Sequence, residues 1–201
     1  FNKVVIVGGG LMGVSLVGAM RKSMVAKKVQ VLVHKEEYVK CLEEEGIEAS
    51  ADIDEIGAGT ALFIIATPIS AFVEVFQSIA KYCNGQTIVV DLGSVKEEVC
   101  TMAKENLPII DNYVGCHPIA GSEVSGVGAY VDDLYVGRKL IITSDKGSPA
   151  VMKIARMWQD LGMQIFYLGL EEHDLIYGYV SHLVQRISFN FKKQIEAKDL
   201  S

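Results

Sequence analysis

Apolar residues in this chain follow two alternating rhythms. Short β-branched runs at residues 3–7, 29–33, 61–66 and 87–91 read as strands. Each is followed by a stretch with apolar residues every three to four positions, at 11–22, 36–45, 70–82 and 95–105, which reads as a helix. Such alternation demands right-handed crossovers and predicts a parallel sheet with helices on both faces. Further strands are predicted at 113–116, 139–143 and 164–168, with a helix over 148–161, and these can extend the same sheet. From residue 171 the strand signal stops. Leu175, Ile176, Tyr179, Val180, Leu183, Ile187 and Phe191 form an apolar stripe at helical spacing. It predicts a long final helix with no partner in the rest of the sequence.

Composition narrows the class. Half of the 201 residues are apolar and 22% are charged, enough for one full core and an appendage. The longest strongly apolar run, 61–66, is far short of the roughly 20 residues a membrane-crossing helix needs, and no signal-peptide pattern precedes the first strand. A cytoplasmic protein without membrane partners is expected. The four cysteines, at 41, 83, 100 and 116, show neither CxxC pairing nor a framework spacing, so they read as free thiols and no metal site is expected. A net charge of -6 argues against a nucleic-acid surface while leaving room for a local basic pocket.

The first strand breaks into Gly8-Gly9-Gly10-Leu11-Met12-Gly13 before the first helix. A GxGxxG turn means little alone, but between a strand and a helix it points to a dinucleotide. Gly8 permits the tight turn, Gly10 lets backbone N–H groups reach a pyrophosphate, Gly13 lets helix and strand pack, and the helix N-terminus favours the anion. A glycine turn without ligand is the plainer alternative. Thr67 and Pro68, after the third predicted strand, fall beside the same crevice and are expected to contact cofactor. About 20 residues past the glycines an NAD site usually carries Asp or Glu for the ribose 2′-OH; here Val33, His34 and Lys35 stand instead. Two donors suit a 2′-phosphate, so NADP is the expected cofactor, with NAD the alternative if His34 and Lys35 merely begin a solvated helix.

Reactive side chains gather in two later loops. In Asp91-Leu92-Gly93-Ser94-Val95-Lys96, Ser94 stands where it can either cap the next helix or orient a substrate. His117-Pro118 is read as ending the next strand, and opens a loop with Ser122, Glu123 and three glycines. A lone histidine is commonly structural. One beside a serine-bearing loop at a dinucleotide crevice suits acid–base chemistry, because imidazole titrates near neutrality. The fold class read from these features is α/β: a Rossmann-type, doubly wound, mostly parallel sheet with a C-terminal helical extension.

The glycine motif, Ala66-Thr67-Pro68, Asp91 to Lys96, His117-Pro118-Ile119-Ala120-Gly121-Ser122-Glu123 with Gly126, and His173-Asp174 followed by Ser181-His182-Leu183 together resemble the prephenate dehydrogenase family, with its arogenate-using relatives. The likeness runs through essentially the whole chain. Many dehydrogenases share the glycine motif; GSVK followed by HPxAGxE is more specific.

The resemblance implies an oxidative decarboxylation in tyrosine biosynthesis, in which prephenate and NAD(P)+ give 4-hydroxyphenylpyruvate, carbon dioxide and NAD(P)H. It makes His117 the catalytic histidine at the C4 hydroxyl and Ser94 the residue aligning histidine and hydroxyl. Glu123 would stand at the substrate entrance, Ser181 and His182 on the helix covering the substrate, and His173 and Asp174 would cap and orient that helix. Gln185 occupies a position where many members carry a second histidine, and can hydrogen-bond without charge. No residue matches the family's substrate-carboxylate arginine; Arg186, close in sequence to the site helix, is a candidate substitute, with solvated helix surface the plainer reading. Residues 1–168 are then a dinucleotide-binding domain, and 169–201 the start of a shortened helical region for dimerisation and substrate binding, with a homodimer expected. Two alternatives stay open: a Rossmann nucleotide-binding module with little catalysis, and another small-substrate NAD(P) dehydrogenase.

Overall fold

The computed structural model describes residues 1–121 and 126–196, and leaves the side chains of His182, Gln185, Lys192, Ile195 and Glu196 outside the description. In chain order the elements are β1 (Lys3–Val7), α1 (Leu11–Ser23), β2 (Lys28–Leu32), α2 (Glu36–Glu44), β3 (Ala49–Ser50), α3 (Ile53–Ile56), β4 (Leu62–Ile65) and α4 (Phe72–Ala80). There follow β5 (Ile88–Asp91), α5 (Glu97–Asn106), β6 (Tyr113–Ile119), β7 (Lys139–Ile142), α6 (Pro149–Asp160), β8 (Gln164–Tyr167), α7 (Leu170–Tyr177) and α8 (Val184–Glu196).

The strands form one sheet in the order β3-β2-β1-β4-β5-β6-β7-β8. Strands β1 to β6 are parallel, β7 runs antiparallel to β6, and β8 is parallel to β7. The chain winds outward through β2 and β3, then returns past β1 to β4. At that reversal the connections leave in opposite directions and open a crevice at the carboxyl ends of β1 and β4, where open α/β sheets bind ligands.

Successive strand residues face opposite sides, and the core divides accordingly. On one side Val4, Ile6, Val90, Val114 and Cys116 pack with α1, α2 and α6, including the fully buried Trp158. On the other, Val5, Val7, Phe63, Val89 and Tyr113 meet Phe72, Phe76 and Ile79 of α4 and Val99 and Ala103 of α5. Burial of each large apolar side chain contributes roughly 1.5–3 kcal/mol, so both helical layers are firmly held.

The predicted strands and helices are all present, with informative differences. Periodicity overlooks β3 and α3, which are two and four residues long and too short to carry a period. The helix predicted over 70–82 is a tight turn, Ile69–Ala71, followed by α4. Strand β6 runs on to Ile119, through a proline that cannot donate to a ladder, because Cys116 to Ile119 pair with β7. The final helix is not uniform: a π turn, Gly178–Leu183, joins α7 to α8. Since each α-helical residue advances roughly 100°, an extra residue in a turn rotates the second half of the stripe away from the first.

Candidate active site

At the crevice, Gly8 has φ +119°, and a Cβ on it would lie 2.6 Å from the Ala66 carbonyl oxygen. A Cβ on Gly13 would lie 2.0 Å from the Gly8 oxygen, so this residue brings α1 against the loop. A Cβ on Gly10 would meet nothing within 4 Å. Leu11 and Met12 form the first turn of α1, whose N-terminus has neither a side-chain cap nor an acidic residue. The Thr67 hydroxyl oxygen is buried without a hydrogen-bond partner among the described residues, beside Pro68 and the close approach of Gly8 to Ala66. Open space over a glycine, a bare helix N-terminus and an unsatisfied buried hydroxyl fit the pyrophosphate end of a dinucleotide.

A segment absent from the sequence-based site helps hold this loop. The Gly128 N–H donates to the Gly9 carbonyl at 3.0 Å. The Tyr135 hydroxyl donates to the Met12 carbonyl at 2.6 Å, and the Val131 N–H donates to the Ser15 hydroxyl at 3.0 Å. Nothing in the spacing of residues 126–137 announces this, because the bonds span more than 110 positions.

His34 and Lys35 lie exposed between β2 and α2. The His34 ring meets Tyr38 edge-on at 5.0 Å, and Lys35 Nζ is 3.4 Å from Glu37 Oε1 and 5.3 Å above the Tyr38 ring. Exposed pairs of this kind are screened by solvent and weak, so Lys35 can change partner.

His117 sits inside β6 rather than at its end, opposite Ile141. Its Nδ1 is 2.9 Å from His173 Nε2, and His173 Nδ1 is 2.7 Å from Asp174 Oδ1. His173 is fully buried. Tyr177 stacks on it at 4.7 Å and meets His117 edge-on at 4.9 Å. Two elements 56 residues apart thus supply one line of side chains, β6 giving His117 and α7 giving the rest.

Asp174 does not cap its own helix, as the sequence suggests, but the start of α5. Its carboxylate accepts the Lys96 N–H at 2.8 Å and the Glu97 N–H at 2.9 Å. That takes the capping role Ser94 had been a candidate for; among the described residues the half-buried Ser94 hydroxyl makes no hydrogen bond. Burial lifts the Asp174 carboxyl, but the N–H of Glu97, the His173 ring and the N–H of Lys96 outweigh it and hold the group below its usual range.

Below this line lies a fully buried ion pair between Lys96 and Asp91. Asp91 also accepts the Tyr113 hydroxyl at 2.6 Å and the Gly93 N–H at 2.8 Å, while Lys96 Nζ donates to the Cys116 carbonyl at 2.7 Å. Burial, then the Asp91 charge, pushes the Tyr113 hydroxyl well up. Lys96 therefore fixes the backbone one residue before His117. The sequence places Lys96 within a motif but assigns it no task, since pairing with the end of its own strand appears only once the loop folds.

Ser181 and the backbone of His182 belong to the π turn, and Gln185 to the first turn of α8. Glu123 and the side chains of His182 and Gln185 lie outside the described residues. Among the described residues no helix is long and apolar enough to cross a membrane.

A family profile described as the nucleotide-binding domain of prephenate dehydrogenase matches residues 16–167. The cyclohexadienyl dehydrogenase of Zymomonas mobilis is 30% identical over 196 residues, covering 94% of this chain and 66% of that protein. The prephenate dehydrogenase of Bacillus subtilis is 28% identical over 186 residues, 90% of this chain and 50% of its own length. Among solved structures, A. aeolicus prephenate dehydrogenase in complex with hydroxyphenyl propionate and NAD+ superposes with a TM-score of 0.88 at 29% identity, over 98% of this chain and 70% of that one. The chain thus spans between half and two thirds of the length of these curated relatives.

Proposed function

Because the chain belongs to the prephenate dehydrogenase family, we propose that it takes part in the oxidative decarboxylation of prephenate or arogenate, with His117 as the base. The observation that carries this reading is the line from His117 through His173 to Asp174, set on the same sheet as the glycine loop. Gly8, Gly10, Leu11, Met12, Gly13, Thr67 and Pro68 would hold the dinucleotide, which when bound supplies the hydride acceptor. His34 and Lys35, with no acidic residue at Val33, favour NADP over NAD.

In this reading His117 accepts a hydrogen bond from the substrate C4 hydroxyl and draws its proton as C4 is oxidised. Loss of the ring carboxylate as carbon dioxide completes an aromatic phenol, so electrons from the breaking carbon–carbon bond restore the ring. Ser94 would align the hydroxyl with His117, and Glu123, Ser181, His182 and Gln185 would contact the rest of the substrate. Residues 1–168 act as the dinucleotide domain and 169–201 as the start of the region for substrate and dimer contacts. A cytoplasmic setting suits the four unpaired cysteines, and a homodimer suits the exposed apolar stripe on the last helix.

The test mixes the chain with prephenate or arogenate and each nicotinamide cofactor, and follows reduced nicotinamide absorbance. Turnover favouring NADP+, lowered by about 10²–10⁴-fold in His117→Asn with cofactor affinity retained, is the expected result. Cofactor binding without turnover of either substrate would reduce the chain to a binding module, and preference for NAD+ would remove the role given to His34 and Lys35.

A further inference from the structure

We infer that His173 and Asp174 are positioning residues that set the tautomer of His117. The inference rests on the reading of His117 as a base for its purpose, though not for its geometry. A carboxylate can only accept hydrogen bonds, so the 2.7 Å contact to Asp174 Oδ1 requires the proton of neutral His173 to be on Nδ1. The other nitrogen of that ring, Nε2, then carries a lone pair. It lies 2.9 Å from His117 Nδ1, which must therefore be the N–H of the pair. By elimination the lone pair of His117 resides on Nε2. Two fixed backbone donors anchor the line at its far end, because the Lys96 and Glu97 N–H groups both point at the Asp174 carboxylate. Burial of His173 and the stacked Tyr177 ring keep the middle imidazole from turning.

Two imidazoles in contact, His173 buried and His117 half-buried, could choose among several proton arrangements; the carboxylate leaves one. A base must present a lone pair to the proton it takes, and a histidine locked in the other tautomer cannot. The relay thus keeps the N–H of His117 on the nitrogen turned toward the protein interior, without touching a substrate itself.

Replacing Asp174 by Asn predicts a specific failure. The amide left by Asp174→Asn has one acceptor oxygen for three donors, and two of those are backbone N–H groups that cannot change. Only His173 can adapt, by moving its proton to Nε2 and accepting from the amide at Nδ1. It then donates to His117 Nδ1 and drives the His117 proton onto Nε2. His173→Phe reaches the same end differently, removing the acceptor at His117 Nδ1 while keeping a ring against Tyr177 and leaving Asp174 on α5.

The experiment is nitrogen-15 spectroscopy of imidazole-labelled protein at about pH 8, above the ordinary histidine range near 6.5. With only four histidines in the chain, each ring can be assigned by substitution. The expected result is an N–H at Nδ1 and a lone pair at Nε2 for His117, reversed in Asp174→Asn and shifted toward the reverse in His173→Phe, with kcat lowered on the order of 100-fold in both. Trp158 fluorescence reports whether each variant remains folded. A lone pair on His117 Nδ1 in the unmodified chain, or a tautomer indifferent to both substitutions, overturns the relay even if His117→Asn abolishes turnover. Conversely, turnover that survives His117→Asn removes the base reading and leaves the tautomer result standing.

Discussion

At the scale of single residues, the site depends on charges that the fold takes out of water. Lys96 and Asp91 are both fully buried, and together they bond the Tyr113 hydroxyl, the Gly93 N–H and the Cys116 carbonyl. An isolated buried charge is far more costly than a paired one, so removal of one partner is worse than removal of both. Lys96→Met leaves Asp91 with two neutral donors and no counter-charge, and frees the carbonyl preceding His117. The expected loss is about 3–5 kcal/mol of stability. Denaturant unfolding followed by the single, buried Trp158 measures it, and a loss under about 1 kcal/mol would show that the pair is dispensable. The double variant Lys96→Met with Asp91→Leu is expected to recover part of the loss without restoring the position of the Cys116 carbonyl.

At the scale of elements, α7 is fastened to α5 by Asp174, and this joint ties the capping of one helix to the orientation of His173. The carboxyl lies below its ordinary value of 3.8 in the fold, so the folded state binds this proton less readily than the unfolded chain. Its contribution is therefore complete above about pH 4 and is lost as pH falls through the depressed folded value. The stability difference between the unmodified chain and Asp174→Asn should shrink as pH is lowered below about 4; a constant difference would mean that the carboxylate charge does not hold the joint. Such joints explain what was legible in advance. The glycine loop and the alternating strands and helices follow from local spacing, as does the candidacy of His117 beside them. The partner of His117 does not, since it comes from α7 and its anchor is the start of α5, 77 residues earlier than Asp174. Proline at 118 and the π turn also lie beyond periodic reading, because pairing with β7 and an inserted helical residue leave no period of their own.

At the scale of the whole molecule, the doubly wound sheet buries its own faces, but the last helix does not. Leu175, Tyr179, Val180, Phe189 and Phe191 are each more than 60% exposed on α7, the π turn and α8. Exposed apolar surface of this kind usually marks an interface. Association costs an estimated 4–15 kcal/mol in rigid-body freedom, while each covered side chain returns roughly 1.5–3 kcal/mol. One or two such residues would be too few, whereas five covered together by a second copy of the chain return an amount of the same order as that cost. Sedimentation at micromolar concentration should therefore find a dimer. Val180→Glu should shift it toward monomer, because pairing would then bury an uncompensated carboxylate, while the Trp158 emission of the folded chain stays unchanged since Val180 is exposed in the single chain. A chain that sediments as a monomer at every concentration, or a dimer indifferent to Val180→Glu, would remove the stripe as the contact between copies.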